Sequence, residues 1–230
     1  MEWAKKAKLA VPPEYKHHFP SATLPVTDFI NLKLPYASNE LITTKSGSWF
    51  SPDCPDSDLT YLFERSIPPK EYVTTLDQAF GQAWFDGAKS IIDPRFNNGT
   101  ERLPLWILTF WRDMDHVSHS QLTWKRSISW LDKEKTKHIN NHNTLAIIDR
   151  VKTKLASMGW NNPLSYCSKA VKTMQLSRYL GTIWLTDDEI TWWWKHYPRT
   201  YLCLSRGRSF LRHYGLLENL RHWIQSFASP

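Results

Sequence analysis

The chain of 230 residues is poor in glycine, with eight, and in cysteine, with three. It has no G-x-S-x-G elbow and no glycine-rich phosphate loop, so two common backbone devices for acyl transfer and nucleotide binding are missing. Cys54, Cys167 and Cys203 are odd in number and widely spaced, which argues against a disulfide framework and for a reducing compartment. None of them stands in a local context that would activate a thiolate. No stretch approaches the roughly 20 apolar residues of a membrane span. The opening MEWAKKAKLAVPPEY carries lysines without the apolar run of a secretory signal. The expectation is an intracellular protein, nuclear or cytoplasmic, with no membrane partner and no cofactor.

Apolar and aromatic residues are plentiful. Hydrophobic residues make up 41% of the chain and aromatic ones 14%, enough for a substantial core, and thirteen are tryptophans. Tryptophan buries a large area but needs an outlet for its indole N–H, so it suits cores and binding surfaces alike. The net charge of +7 is uneven: residues 1–100 carry 10 basic and 12 acidic side chains, residues 101–230 carry 19 and 10. A basic second half suits an anionic partner such as nucleic acid.

The periodicity predicts a mainly α protein. An irregular, proline-rich segment over 1–73 precedes a helical domain over 74–198, followed by a basic helical segment over 199–230. In the first segment the apolar runs are short, with a hairpin expected around Phe29 to Ile42 and a loop at SPDCPDSD. Thr75 is expected to cap a helix through LDQAFGQAWFDGAKSII, closed by Asp93-Pro94, with Gly81 and Gly87 explained by close neighbours. The dominant element is a long amphipathic helix over about 103–135. Its seam is Leu103, Ile107, Phe110, Met114, Val117, Gln121, Trp124, Ile128 and Leu131, at alternating spacings of four and three. Pro104 would sit in the first turn of that helix. Gln121, the one polar member of the seam, should find a buried hydrogen-bond partner. A second helix at about 144–158, with Gly159 as its C′ residue, should return antiparallel to the first, and a third should cover about 169–180. Thr186-Asp187-Asp188-Glu189 has the form of a capping box opening one more helix, and a last is expected over about 210–227.

Several groupings could carry chemistry. Asp115 and His119, with Asp113 and His116 nearby, have the i, i+4 spacing of a divalent-metal pair, which is also an ordinary stabilising pattern on an exposed helix. Asp53, Cys54, Asp56 and Asp58 mix hard and soft donors without the spacing of a known metal loop. His138 and His142 have a zinc-like interval but no accompanying glutamate or cysteine pair. Asp187, Asp188 and Glu189 could hold magnesium, yet acidic residues after an N-cap threonine more simply complement the helix dipole. No metal site is therefore expected. Lys195, Arg199, Arg206, Arg208 and Arg212 are interleaved with aromatic residues, the mixture that grips phosphates and stacks bases. A solvated basic face over an aromatic core is the plainer alternative.

The order of segments IPPKEYVTTL, AFGQAWFDGAKSI, LPLWILTFWRDMDHV, TWKRSISWL, KLASMGW and LSRYLGTIWLTDDEI resembles the region preceding the protease core of large fungal Ulp1-like cysteine proteases. The match runs from about Ile67 to Trp194 and includes Trp106, Leu108 and Trp111. The resemblance implies a helix contacting a ubiquitin-like modifier, with Asp187, Asp188, Glu189, Trp192, Trp193 and Tyr197 as partner-binding residues. The family's catalytic set ends in a Cys-Gly pair, and no such pair occurs here. No catalytic residue carries over, and the core would lie on a continuation of the chain. The leading expectation is thus a non-catalytic accessory or partner-binding module. The alternatives are a nucleic-acid-binding module acting through the basic, aromatic C-terminal half, and a metal-dependent enzyme in which Asp113, Asp115, Asp187 and Asp188 converge.

Overall fold

The computed structural model describes residues 9–38, 46–56, 59–63, 65–95, 99–163 and 172–180. The fold is mainly helical with one small sheet. The helices are α1 (Val26–Asn31), α2 (Lys70–Phe85), α3 (Ile107–Lys137) and α4 (His142–Ser157), with short 3-10 turns at Pro13–His18, Ser46–Trp49, Thr60–Phe63 and Thr173–Tyr179. The strands β1 (Phe50–Ser51), β2 (Ser90–Ile91) and β3 (Leu103–Pro104) form an antiparallel sheet in the order β1-β2-β3. The chain divides into two compact units, one from Met1–Ser21 and Lys33–Ser120, the other from Ala22–Leu32 and Gln121–Pro230. No helix among the described residues is long and apolar enough to cross a membrane.

In the first unit, α2 starts six residues earlier than Thr75 predicts, with Pro69 in the cap position. The Pro69 carbonyl accepts from the amides of Tyr72 and Val73, and the Thr75 hydroxyl donates back to the Glu71 carbonyl from within the helix. The helix also stops earlier, at Phe85. Gly87 adopts a φ of +96°, and the amides of Gly87 and Ala88 close on the carbonyls of Trp84 and Ala83, a Schellman termination. Residues 90–91 are then free to pair with Phe50–Ser51 and with β3. Gly87 is required by its left-handed backbone, and a Cβ on Gly81 would meet nothing within 4 Å, so neither glycine answers to a close neighbour.

Leu103 and Pro104 likewise belong to an edge strand and not to the long helix, which begins at Ile107. An edge strand accepts proline because one of its sides has no ladder partner. Trp49, Ile67, Leu76, Phe80, Ile91, Ile107, Phe110 and Met114 are the buried centre of this unit.

In the second unit, α1 takes the first residues of the hairpin expected around Phe29 to Ile42, whose residues 39–42 lie outside the described residues, and Phe29 is buried on this short helix. Phe29 stacks on Trp160 at 4.1 Å with the rings 7° from parallel. The Val26 amide donates to the Met158 carbonyl and the Trp160 amide to the Leu24 carbonyl, so the segment after α4 pairs with the chain entering α1. Gly159 serves that approach and not a left-handed cap: a Cβ there would lie 2.6 Å from the Ala22 carbonyl oxygen. Around them lie buried Trp124, Leu131, Ile148, Val151, Leu155 and Leu176.

The expected demand of Gln121 is met within this unit. Its Nε2 donates to the carbonyls of Phe29 (2.8 Å) and Leu32 (2.7 Å), and its Oε1 accepts from Lys125 Nζ at 3.0 Å. It thereby caps two carbonyls at the end of α1, where a short helix leaves its last acceptors open. The helix expected at about 169–180 is a 3-10 turn over Thr173–Tyr179 where it is described.

Candidate functional site

The residues singled out for partner binding, Asp187, Asp188, Glu189, Trp192, Trp193 and Tyr197, lie outside the described residues, as do Lys195, Arg199, Arg206, Arg208 and Arg212. The convergence of Asp113 and Asp115 with Asp187 and Asp188 is therefore not among the geometry described. Asp113 itself faces Arg112, with Nε 3.3 Å from its carboxylate. Among the described residues, no group of three or more His, Cys, Asp or Glu side chains is gathered as metal ligands would be.

The acidic loop after β1 is tied down by arginine. Arg102 Nε donates to Asp53 at 3.0 Å, its backbone amide donates to Asp56 at 2.8 Å, and its carbonyl accepts from the Asp56 amide at 2.8 Å. The Arg102 hydrogen bond, followed by that from Ser51, holds the Asp53 carboxyl below the usual carboxylate range. Nearby, Arg95 donates to both oxygens of Asp93 and to the Ser66 carbonyl, with only 9% and 3% of the two side chains exposed. Arg65 clamps Glu101 with both guanidinium ends. Asp53, Asp93 and Glu101 each have a guanidinium partner and Asp56 a backbone one, so this loop is a structural knot whose described acids are engaged, while Asp58 lies outside the described residues.

The hairpin of α3 and α4 is different. Asn141 caps α4 by accepting from the Thr144 amide. Lys135 pairs with Asp149 at 2.6 Å, and Lys152 pairs with Asp132 one turn further from the loop, the register of an antiparallel hairpin. Glu134 is taken by Lys137 at 2.6 Å, with His138 also within 3.6 Å. Residues 121–160 hold eight lysines and arginines against three carboxylates, and all three carboxylates are used in these pairs. Arg126, Lys133, Arg150 and Lys154 are exposed and have no carboxylate partner among the described residues. A depression of about 360 Å³ at the hairpin tip is lined by Asp132, Lys135, Thr136, Ile139 and Leu145.

Arg126 and Lys133 are seven residues apart, hence two turns on one helical face, with half-buried Trp130 between them and Lys137 one turn beyond. The signal lay in the sequence as i, i+4, i+7, i+11 on the side of the helix opposite the apolar seam. Reading the seam alone passes over it, and the denser arginine cluster after 195 draws the eye first.

No protein-family model matches the chain, and no curated protein or solved structure does.

Proposed function

We propose that the chain is a helical binding module whose basic half engages an anionic macromolecular partner. The observation that supports this best is the uncompensated charge of the α3–α4 hairpin. Its three carboxylates are spent on Lys135, Lys137 and Lys152, and Arg126, Lys133, Arg150 and Lys154 are exposed without a counter-charge among the described residues. Such a surface raises the local concentration of an anionic ligand and speeds encounter with it. Retention of the full chain on immobilised heparin, lost as salt is raised and weakened by reversing Arg126 and Lys133 to Glu, is the expected result. Passage through heparin at low salt removes the reading.

The resemblance to the region preceding a Ulp1-like protease core supports a narrower version, a module that holds a ubiquitin-like modifier through Trp192, Trp193 and Tyr197. Pull-down with such a modifier, repeated with Trp192→Ala and Trp193→Ala, tests it. Absence of binding by the parent chain removes that version and leaves the anionic reading standing.

A further inference from the structure

Resting on the anionic-partner reading, we infer that the outward face of α3 from Leu122 to Lys137 is a binding track for single-stranded nucleic acid. Four features of that face support this choice of occupant.

The first is linear charge. Arg126, Lys133 and Lys137 follow one line on the helix, with about 10 Å between the first two and about 6 Å between the last two at 1.5 Å rise per residue. A regularly charged backbone can meet such a line at successive phosphates. The second is the aromatic residue set into it. Trp130 lies one turn after Arg126 and three residues before Lys133, and it is half-buried, so the residue keeps part of its surface in solvent. A phosphate track interrupted by an aromatic face is the arrangement that takes unpaired bases, because a stacked duplex offers no base face to an indole.

The third feature is the exposed Leu122 at the head of the same line, 44% accessible, which extends the apolar surface beside the cations. The fourth is availability. Among the described residues, Lys137 is the one cation of the track held by a carboxylate, Glu134, and that pair lies within one turn at the helix surface, where mutual attraction is small and easily exchanged for a phosphate. Of the other cations of the hairpin, Arg150 and Lys154 are one turn apart on α4 and add to the positive field without lying on the track.

The test uses the full chain and fluorescence anisotropy with a fluorescein-labelled 20-nucleotide oligo(dT) and a labelled duplex of the same length. The expected result is tighter binding of the single strand, with affinity falling linearly on a log–log salt plot. Arg126→Gln with Lys133→Gln should reduce the magnitude of that slope by about 1.4, the loss of two phosphate contacts on a single strand. Trp130→Leu keeps apolar bulk but removes the stacking face. It should weaken oligo(dT) binding by roughly 5- to 140-fold, the range for losing one stacked base, and leave duplex binding within about twofold. Trp130→Phe should restore most of the lost affinity, which a packing defect would not allow. Circular dichroism of each variant shows that the helices persist.

Heparin retention together with equal binding of duplex and single strand, and no effect of Trp130→Leu, overturns the nucleic-acid track while leaving the anionic-partner reading intact. An unchanged salt slope in the Arg126/Lys133 variant overturns the placement of the track on α3. Failure to bind heparin or either oligonucleotide overturns both readings.

Discussion

The arginine knot of the first unit and the hairpin of the second are both rich in charge, but they treat it in opposite ways. In the knot, Asp53, Asp56, Asp93 and Glu101 each meet an arginine donor, and one pair, Asp93 with Arg95, is almost wholly withdrawn from water. In the hairpin, carboxylates run out before cations do, and the surplus stays in solvent. Charge that is matched and buried costs much to disturb because removing one partner strands the other in a low-dielectric setting. Charge that is exposed and surplus costs the fold little to remove and is free to meet something else. The difference separates residues that hold a structure from residues that can serve a ligand, and it can be broken or sharpened by substitution.

The largest effect is expected at Asp93–Arg95. Arg95→Ala leaves a carboxylate 3% exposed with its guanidinium gone and should destabilise the chain by about 3–5 kcal/mol, read from the urea midpoint at pH 7. A loss below about 1 kcal/mol would place this pair with the surface charges and erase the contrast. The second is at Gln121. Gln121→Leu fills similar volume but strands the Leu32 carbonyl and leaves the Phe29 carbonyl with only the Leu32 amide, and a cost of about 1–3 kcal/mol is expected from the same measurement. By contrast, Arg126→Gln with Lys133→Gln should shift stability by less than about 0.5 kcal/mol, as for other exposed side chains. A larger loss would mean that these cations serve the fold and would undercut their assignment to a ligand.

Two glycines, one inside α2 and one just past its end, draw a similar line at the backbone. Gly81→Ala, with open space around the new Cβ and a helical backbone, should stabilise by about 0.5–1 kcal/mol. Gly87→Ala, at φ +96°, should destabilise by roughly 1–2 kcal/mol. Opposite signs in the thermal midpoints check the pair, and equal signs would mean that the left-handed turn is not what ends α2.

Much of the architecture is written in local sequence, and the exceptions have identifiable causes. The seam of α3 was legible because Ile107, Phe110, Met114, Val117, Gln121, Trp124 and Leu131 repeat at helical intervals, and all seven are buried. The start of that helix was not, because Leu103-Pro104 fits a first helical turn as well as an edge strand, and only pairing with Ser90–Ile91 decides between them. Thr75 has the chemistry of a cap, but a threonine inside a helix can return its hydroxyl to the carbonyl four residues back, as this one does. Gly159 carried the mark of a helix end yet answers to a carbonyl far away in sequence, Ala22, which no local pattern records. The candidate site was less legible still. Its positive residues form a line only after the apolar side of α3 has been fixed, and which cations remain surplus depends on pairs such as Asp132–Lys152 and Asp149–Lys135 that span 14 to 20 residues.

The smallest expected effect belongs to a group of neither kind, a histidine that is neither paired with an acid nor left wholly in solvent. His18 stacks on Phe63 with ring centroids 3.4 Å apart and lies 4.0 Å from the ring of His17. Partial burial, and then the charge of His17, lower its pKa from the ordinary value of 6.5. A histidine whose pKa is lower folded than unfolded takes up more protons in the unfolded chain. Its contribution is therefore complete above about pH 6.5 and is lost as pH falls through that value toward the lower folded pKa. The parent should lose more stability between pH 7.5 and 5.5 than His18→Gln does, measured as the difference in urea midpoints at the two pH values. Parallel losses in both proteins would show that the stacked ring titrates as it does in the unfolded chain, and that the aromatic surroundings of Phe63 do not distinguish its charged form from its neutral one.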